Sequence, residues 1–218
     1  MNMDHATRAS RLKDTDLYVV VTESFCAGRS SLETLDACLA AGVRLVQLRE
    51  KDLCDRDLYL LARAWRERTE KAGALFILDD RVDMALAVDA DGVHLGQGDL
   101  PLDVARRIAP GLLLGASSHS LPEALAAQDT SADYVNIGPI FATQTKAVPT
   151  GAVGPGLISE IRPHLRVPFT CMGGIKPDNV DLVLEQGASI VAVVTAVTAA
   201  PDIQAAATAL RARIRGNR

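Results

Sequence analysis

Apolar residues along this chain gather in short runs, mostly four to six residues long, that begin near Leu17, Leu45, Leu75, Gly92, Leu112, Tyr134, Phe169 and Ile190. The runs lack polar alternation, which suits strands covered on both faces, as in an all-parallel sheet wrapped by helices. Between them, apolar positions recur at helical spacing and predict helices over 31–41, 55–72, 82–88, 102–108, 121–128, 156–161, 178–185 and 203–214. Strand and helix thus alternate eight times in 218 residues. This predicts an α/β protein with a single (β/α)8 TIM barrel, the open doubly wound sheet being the alternative. The barrel is assigned residues 17–218, and residues 1–16 form a polar N-terminal extension.

Local signals agree with this frame. Ser30 and Glu33 have capping-box spacing, Pro101 and Pro201 sit at first-turn positions, and Pro177-Asp178 opens the seventh helix. Gly42, Gly73 and Gly187 stand where a left-handed residue ends a helix. Cys54 occupies an N-cap position and is expected to be exposed.

Charge and composition narrow the function. A net charge of −4 and 4% aromatic residues give neither a basic field nor an aromatic-basic stripe, which argues against nucleic acid as a partner. No apolar stretch reaches membrane-spanning length and the first sixteen residues hold no signal-like core, so no membrane partner and a cytoplasmic location are expected. Cys26, Cys38, Cys54 and Cys171 are scattered, without metal-ligand spacing, and are read as reduced packing residues. The sequence leaves room for a homo-oligomer.

The polar residues that packing does not explain collect just past the C-terminal ends of the runs, where a parallel barrel builds its active site. After the second run come Gln47, Arg49, Glu50 and Lys51, whose cations suit phosphate oxygens, or else pair around Glu50 on a solvated loop. Asp79-Asp80 follows the third run and Asp99 the fourth. Adjacent loops put Asp80 and Asp99 within reach of one hard cation, a Mg2+ site completed by water and a phosphorylated substrate. The plainer account makes Asp79 and Asp99 helix caps. Ser117, Ser118 and His119 follow the fifth run, and His119 on its own is read as a loop or helix-start residue. A long loop after the sixth, with Thr143, Thr145 and Lys146, has the make-up of a lid over an anionic ligand. Gly173-Gly174 and Thr195, after the last two runs, match the place where barrels bind phosphate with backbone N–H groups.

Taken together and in order, the strings Val46-Gln47-Leu48-Arg49-Glu50-Lys51-Asp52, Asp80-Arg81-Val82-Asp83, Asp91-Gly92-Val93-His94-Leu95-Gly96-Gln97, Thr143-Gln144-Thr145-Lys146 and Gly173-Gly174-Ile175 make the chain resemble the thiamine-phosphate synthase family. The resemblance runs from Leu17 to about Leu210. It implies coupling of hydroxymethylpyrimidine diphosphate to a thiazole phosphate. In that reaction Mg2+-assisted loss of pyrophosphate leaves a pyrimidine methyl cation for the thiazole nitrogen.

Position by position, the resemblance implies Asp80 and Asp99 as magnesium ligands, and Arg49, Lys51, Ser117 and Lys146 around the diphosphate. Lys51, Ser117 and Lys146 are the catalytic assignments. Gln47 matches a pyrimidine contact, Thr143 and Thr145 match lid hydroxyls, and Gly174, Val194 and Thr195 match the thiazole-phosphate site. Asp79, also placed against the substrate, stands where the family commonly has Asn; Gly98, Ala142, Met172 and Thr195 are further departures. Two alternatives remain, a thiazole tautomerase of the same family using His119 as acid and base, and a non-catalytic phosphate-binding barrel.

Overall fold

The apolar runs become strands β1 (Leu17–Val21), β2 (Leu45–Leu48), β3 (Leu75–Asp79), β4 (Gly92–Leu95), β5 (Leu113–Ser118), β6 (Tyr134–Ile137), β7 (Phe169–Cys171) and β8 (Val191–Val193) in a computed structural model that describes residues 3–145 and 151–217. All neighbours are parallel, and β8 returns to β1 with Leu17 opposite Val191 and Val19 opposite Val193. That last pairing closes the barrel and excludes the open sheet. Helices α1 (His5–Lys13), α2 (Ser31–Ala40), α3 (Asp55–Ala72), α4 (Val82–Ala87), α5 (Leu102–Ile108), α6 (Leu121–Asp129), α7 (Gly156–Ile161), α8 (Val180–Leu184), α9 (Thr195–Thr198) and α10 (Ile203–Gly216) complete it. Among the described residues no helix is long and apolar enough to cross a membrane.

The lack of alternation in the strands has a direct cause: both faces are buried, in two different cores. Val19, Val46, Phe76, Leu78 and Val93 point outward against helix residues such as Leu35, Ala62 and Trp65. Tyr18, Leu45, Leu75, Ile77, Leu113 and Tyr134 point inward and fill the barrel. The capping box forms as the spacing predicts, with Ser30 and Glu33 exchanging side-chain and backbone bonds at the start of α2. Cys54 is exposed at the N-cap of α3 and makes no capping bond there.

Besides α9, which forms at Thr195–Thr198 where the sequence predicts a loop, two elements differ from the sequence reading. Within the extension, α1 is an ordered helix lying across the N-terminal end of the barrel, where Leu12 packs into the interior core. Buried Arg8 pairs with Asp91 at 3.3 Å and donates to the Gly111 carbonyl at 2.6 Å. Its docking face is small and largely polar, so hydrophobic periodicity gives no sign of it. The second is α8, which starts at Val180 because Asn179 closes a turn first: its side-chain oxygen accepts from the Lys176 N–H and its amide donates to the Gly174 carbonyl.

At the same end of the barrel, Asp16 ties α10 to β1. Its buried carboxylate accepts from Arg211 Nε at 2.9 Å and from the Leu17 N–H at 2.7 Å, and it also pairs with Arg215. Burial pushes its pKa up, but the hydrogen bond and charge of Arg211, the Leu17 amide and Arg215 outweigh that and hold it below its ordinary value. A depressed folded-state pKa contributes stability that is present above the ordinary carboxylate range and lost as pH falls through the folded value. Asp16→Asn should therefore cost about 2–3 kcal/mol at neutral pH, with the gap to wild type closing below about pH 4. Urea melts across pH check this, and a gap constant down to pH 2 would contradict it.

Candidate active site

At the C-terminal mouth of the barrel, the loops after β1 and β2 are stitched together first. Thr22 Oγ1 donates to the Arg49 carbonyl at 2.7 Å, and Glu50 Oε1 accepts from the Glu23 N–H at 2.7 Å. Burial pushes the Glu50 carboxyl up in pKa. Among the described residues Glu50 makes no ion pair within 4 Å, and its bond to the Glu23 N–H takes the place of the solvated pair around it. Arg49 and Lys51 turn to β3 instead. Arg49 Nε lies 3.3 Å and Lys51 Nζ 3.2 Å from Asp79 Oδ2, and Lys51 also pairs with Asp80.

The carboxylates are not the helix caps that packing alone suggested. Arg81, not Asp79, holds the N-cap position of α4, and Pro101 that of α5, neither with a side-chain capping bond. Asp79 is the last residue of β3, opposite His94 of β4, with its side chain only 10% exposed. Asp80 follows with a left-handed φ of 58°, a conformation Asp tolerates better than most residues, and its N–H bonds to the His94 carbonyl. Asp99 accepts from the Gly96 N–H at 2.7 Å and closes its own loop.

Among the described residues no group of three or more His, Cys, Asp or Glu side chains is arranged to hold a metal. Magnesium does not require one. It keeps several waters and takes one or two carboxylates together with substrate phosphates, and Asp80 and Asp99 supply oxygen donors from the ends of adjacent strands. Carboxylate oxygen is the donor type that ion takes.

Two cavities open at this mouth. The smaller, about 60 Å³, is lined by Gln47, Arg49, Asp79 and Ser117 together with Tyr18, His94 and Asn136. The larger, about 470 Å³, is lined by Thr143, Gly173, Gly174, Lys176, Val194 and Thr195 among others. Phe25, Thr145, Met172 and Val194 border both. Thr143 and Thr145 bond to one another through their hydroxyls at 2.9 Å. Gly174 has φ 61°, and a Cβ there would come within 2.5 Å of the Ala142 carbonyl oxygen. The glycine is required by the close approach of the chain's own 141–142 segment as well as by backbone conformation.

The structure thus brings together Gln47, Arg49, Asp79, Ser117 and Thr145 in one cavity, and Thr143, Thr145, Gly174, Val194 and Thr195 in the other. Lys51 and Asp80 join the first through ion pairs, whereas Asp99 borders a separate groove beside Gln97 and Pro101. Lys146 lies outside the described residues. His119 borders neither cavity; its ring and its N–H both bond to Glu123 at the start of α6. Residue-level reading assigned no role to Tyr18, Phe25, His94, Asn136 or Met172. A tyrosine, a histidine and an asparagine inside otherwise apolar runs were the available signal.

A family model described as thiamine monophosphate synthase matches residues 17–197. The chain is similar to a thiamine-phosphate synthase of Chloroflexus aurantiacus, 44% identical over 205 residues that cover 94% of this chain and 95% of the relative. A thiamine-phosphate synthase of Moorella thermoacetica is 46% identical over 197 residues, covering 90% and 94%. Among solved structures, a thiamine phosphate pyrophosphorylase from Pyrococcus furiosus superposes with a TM-score of 0.87 at 37% identity, covering 93% of this chain and 96% of its own.

Proposed function

The chain belongs to the thiamine monophosphate synthase family, and from that premise we propose that it is a transferase of thiamine biosynthesis. It couples hydroxymethylpyrimidine diphosphate with hydroxyethylthiazole phosphate to give thiamine phosphate and pyrophosphate. The observation that carries this reading is the pair of adjoining cavities with a common wall, one lined by Gln47, Arg49 and Ser117 and the other by the loops after β7 and β8. Two ring substrates that must meet atom to atom need that arrangement.

In this scheme the C–O bond between the pyrimidine methylene and the diphosphate breaks, and a C–N bond to the thiazole nitrogen forms. No nucleophilic side chain is needed; the protein has to hold the leaving group, exclude water and align two rings. Arg49 and Lys51 bind the diphosphate as fork and point charge, and the Ser117 hydroxyl donates to it. Gln47 orients the pyrimidine against the buried floor of the small cavity. Backbone N–H groups around Gly174, Val194 and Thr195 bind the thiazole phosphate, in keeping with the phosphate position common to this barrel class. Thr143 and Thr145 line the larger cavity, and the family resemblance assigns Lys146 to the diphosphate. Asp80 and Asp99 are the residues that would hold Mg2+, and the ion, when bound, supplies positive charge against the departing pyrophosphate.

The small phosphorylated substrates and the four free cysteines, three of them buried, suit a reducing cytoplasm. Purified protein incubated with both substrates and Mg2+ should produce thiamine phosphate, and none at any substrate concentration would overturn the reading. The same assay separates the tautomerase alternative. His119→Ala should retain most coupling activity because its imidazole serves the α6 N-terminus through Glu123. A near-complete loss, with tautomerase activity in the wild type, would favour that alternative instead.

A further inference from the structure

Inside the barrel a continuous file of polar groups runs from one wall of the small cavity to the other. Gln47 Nε2 donates to the Tyr18 hydroxyl at 2.8 Å, the Tyr18 and Tyr134 hydroxyls are 3.1 Å apart, Tyr134 Oη is 3.2 Å from His94 Nδ1, and His94 Nε2 is 3.0 Å from Ser117 Oγ. Gln47, Tyr18, Tyr134 and His94 are all buried. Space for the central link is built into β5: a Cβ at Gly115 would lie 2.3 Å from the Tyr134 hydroxyl oxygen and 2.5 Å from His94 Nδ1.

Proton counting gives the file a direction. Tyr18 already accepts the Gln47 N–H. If Tyr134 also donated to Tyr18, the single Tyr18 proton would be buried without a partner, a loss of one hydrogen bond plus a desolvation cost. Tyr18 therefore donates to Tyr134, Tyr134 donates to His94 Nδ1, and His94 carries its proton on Nε2, from which it donates to Ser117 Oγ. The Ser117 proton is left to point into the cavity. Burial pushes both tyrosine pKa values up, so neither hydroxyl loses its proton in the physiological range.

We propose that Tyr18, Tyr134 and His94 are positioning residues that fix the Gln47 amide at one end and aim the Ser117 hydroxyl proton at the substrate diphosphate at the other. The role in catalysis rests on the synthase reading; the hydrogen-bond direction does not. Accordingly, the test has two independent arms. Long-range nitrogen–proton NMR of the imidazoles, with His94 assigned by its loss in His94→Asn, should show the Nε2–H tautomer in wild type and a mixture in Tyr134→Phe. In the coupling assay Tyr134→Phe should lower kcat about tenfold, yet change it less than about twofold in a Ser117→Ala background, since the effect passes through that hydroxyl.

An Nδ1–H tautomer in wild type overturns the direction of the file. Losses that multiply in the double variant, or an unchanged kcat in Tyr134→Phe, overturn the positioning role. Should Tyr134→Phe not fold, His94→Asn cuts the same file one link later, and its loss of kcat should likewise shrink to less than about twofold in the Ser117→Ala background. A wild type with no coupling activity refutes the synthase reading instead, and the tautomer arm still decides the direction.

Discussion

Asp80→Asn is expected to slow thiamine phosphate formation about a hundredfold, and chelation of magnesium is expected to slow the wild type at least as much. The substitution is well suited to the question. Asp80 has a left-handed φ of 58°, which Asn adopts as readily as Asp, so the backbone and the N–H bond to the His94 carbonyl survive. What disappears is a negative charge that pairs with Lys51 beside the smaller cavity. Two roles for that charge separate cleanly. A carboxylate that holds the ion raises the magnesium needed for half-maximal rate when it is removed. One that merely steadies Lys51 leaves the magnesium requirement alone, and Lys51→Met then reproduces the loss. Unchanged turnover of Asp80→Asn, or wild-type turnover in excess chelator, contradicts the assignment.

The legible parts of this protein are those whose cause is local. Strand runs without alternation report two buried faces, and helix punctuation at Ser30 and Gly73 reports backbone geometry that neighbouring residues determine. Charges at Arg49, Lys51, Asp79 and Asp80 were legible because packing gives no reason to crowd them at strand ends. Barrel closure was legible only through the eightfold repetition, which left the open sheet as the alternative, since closure depends on β1 meeting β8 from the opposite end of the chain. Not legible at all was α1, whose anchor is a buried Arg8 that needs Asp91 and Gly111 from distant loops. The interior file escaped for the same reason. Tyr18, His94 and Tyr134 each read as one polar group inside an apolar run, and only the barrel brings them into contact.

Asp79 carries the second large expectation, because the sequence and the structure give its charge different consequences. Read along the chain, a carboxylate where the family commonly has an amide repels the diphosphate. The fold adds a competitor's role: Asp79 Oδ2 sits 3.3 Å from Arg49 Nε and 3.2 Å from Lys51 Nζ, the two cations assigned to that diphosphate. Substrate must displace an ion pair before either cation is available. A unit-charge interaction at such distances is about 4 kcal/mol at moderate effective dielectric, and solvent reaching Lys51, 45% exposed, screens much of it. If only about 1.4 kcal/mol survives, Asp79→Asn lowers the KM for the pyrimidine diphosphate about tenfold. The magnesium requirement falls with it, because less positive charge is needed to bring the substrate in. The opposite outcome has an equally definite meaning. A higher KM would show that Asp79 pre-orders Arg49 and Lys51 for the ligand, and a higher magnesium requirement would make its carboxylate a third ligand of the ion. Titrating substrate and magnesium against each other in the two proteins separates these cases.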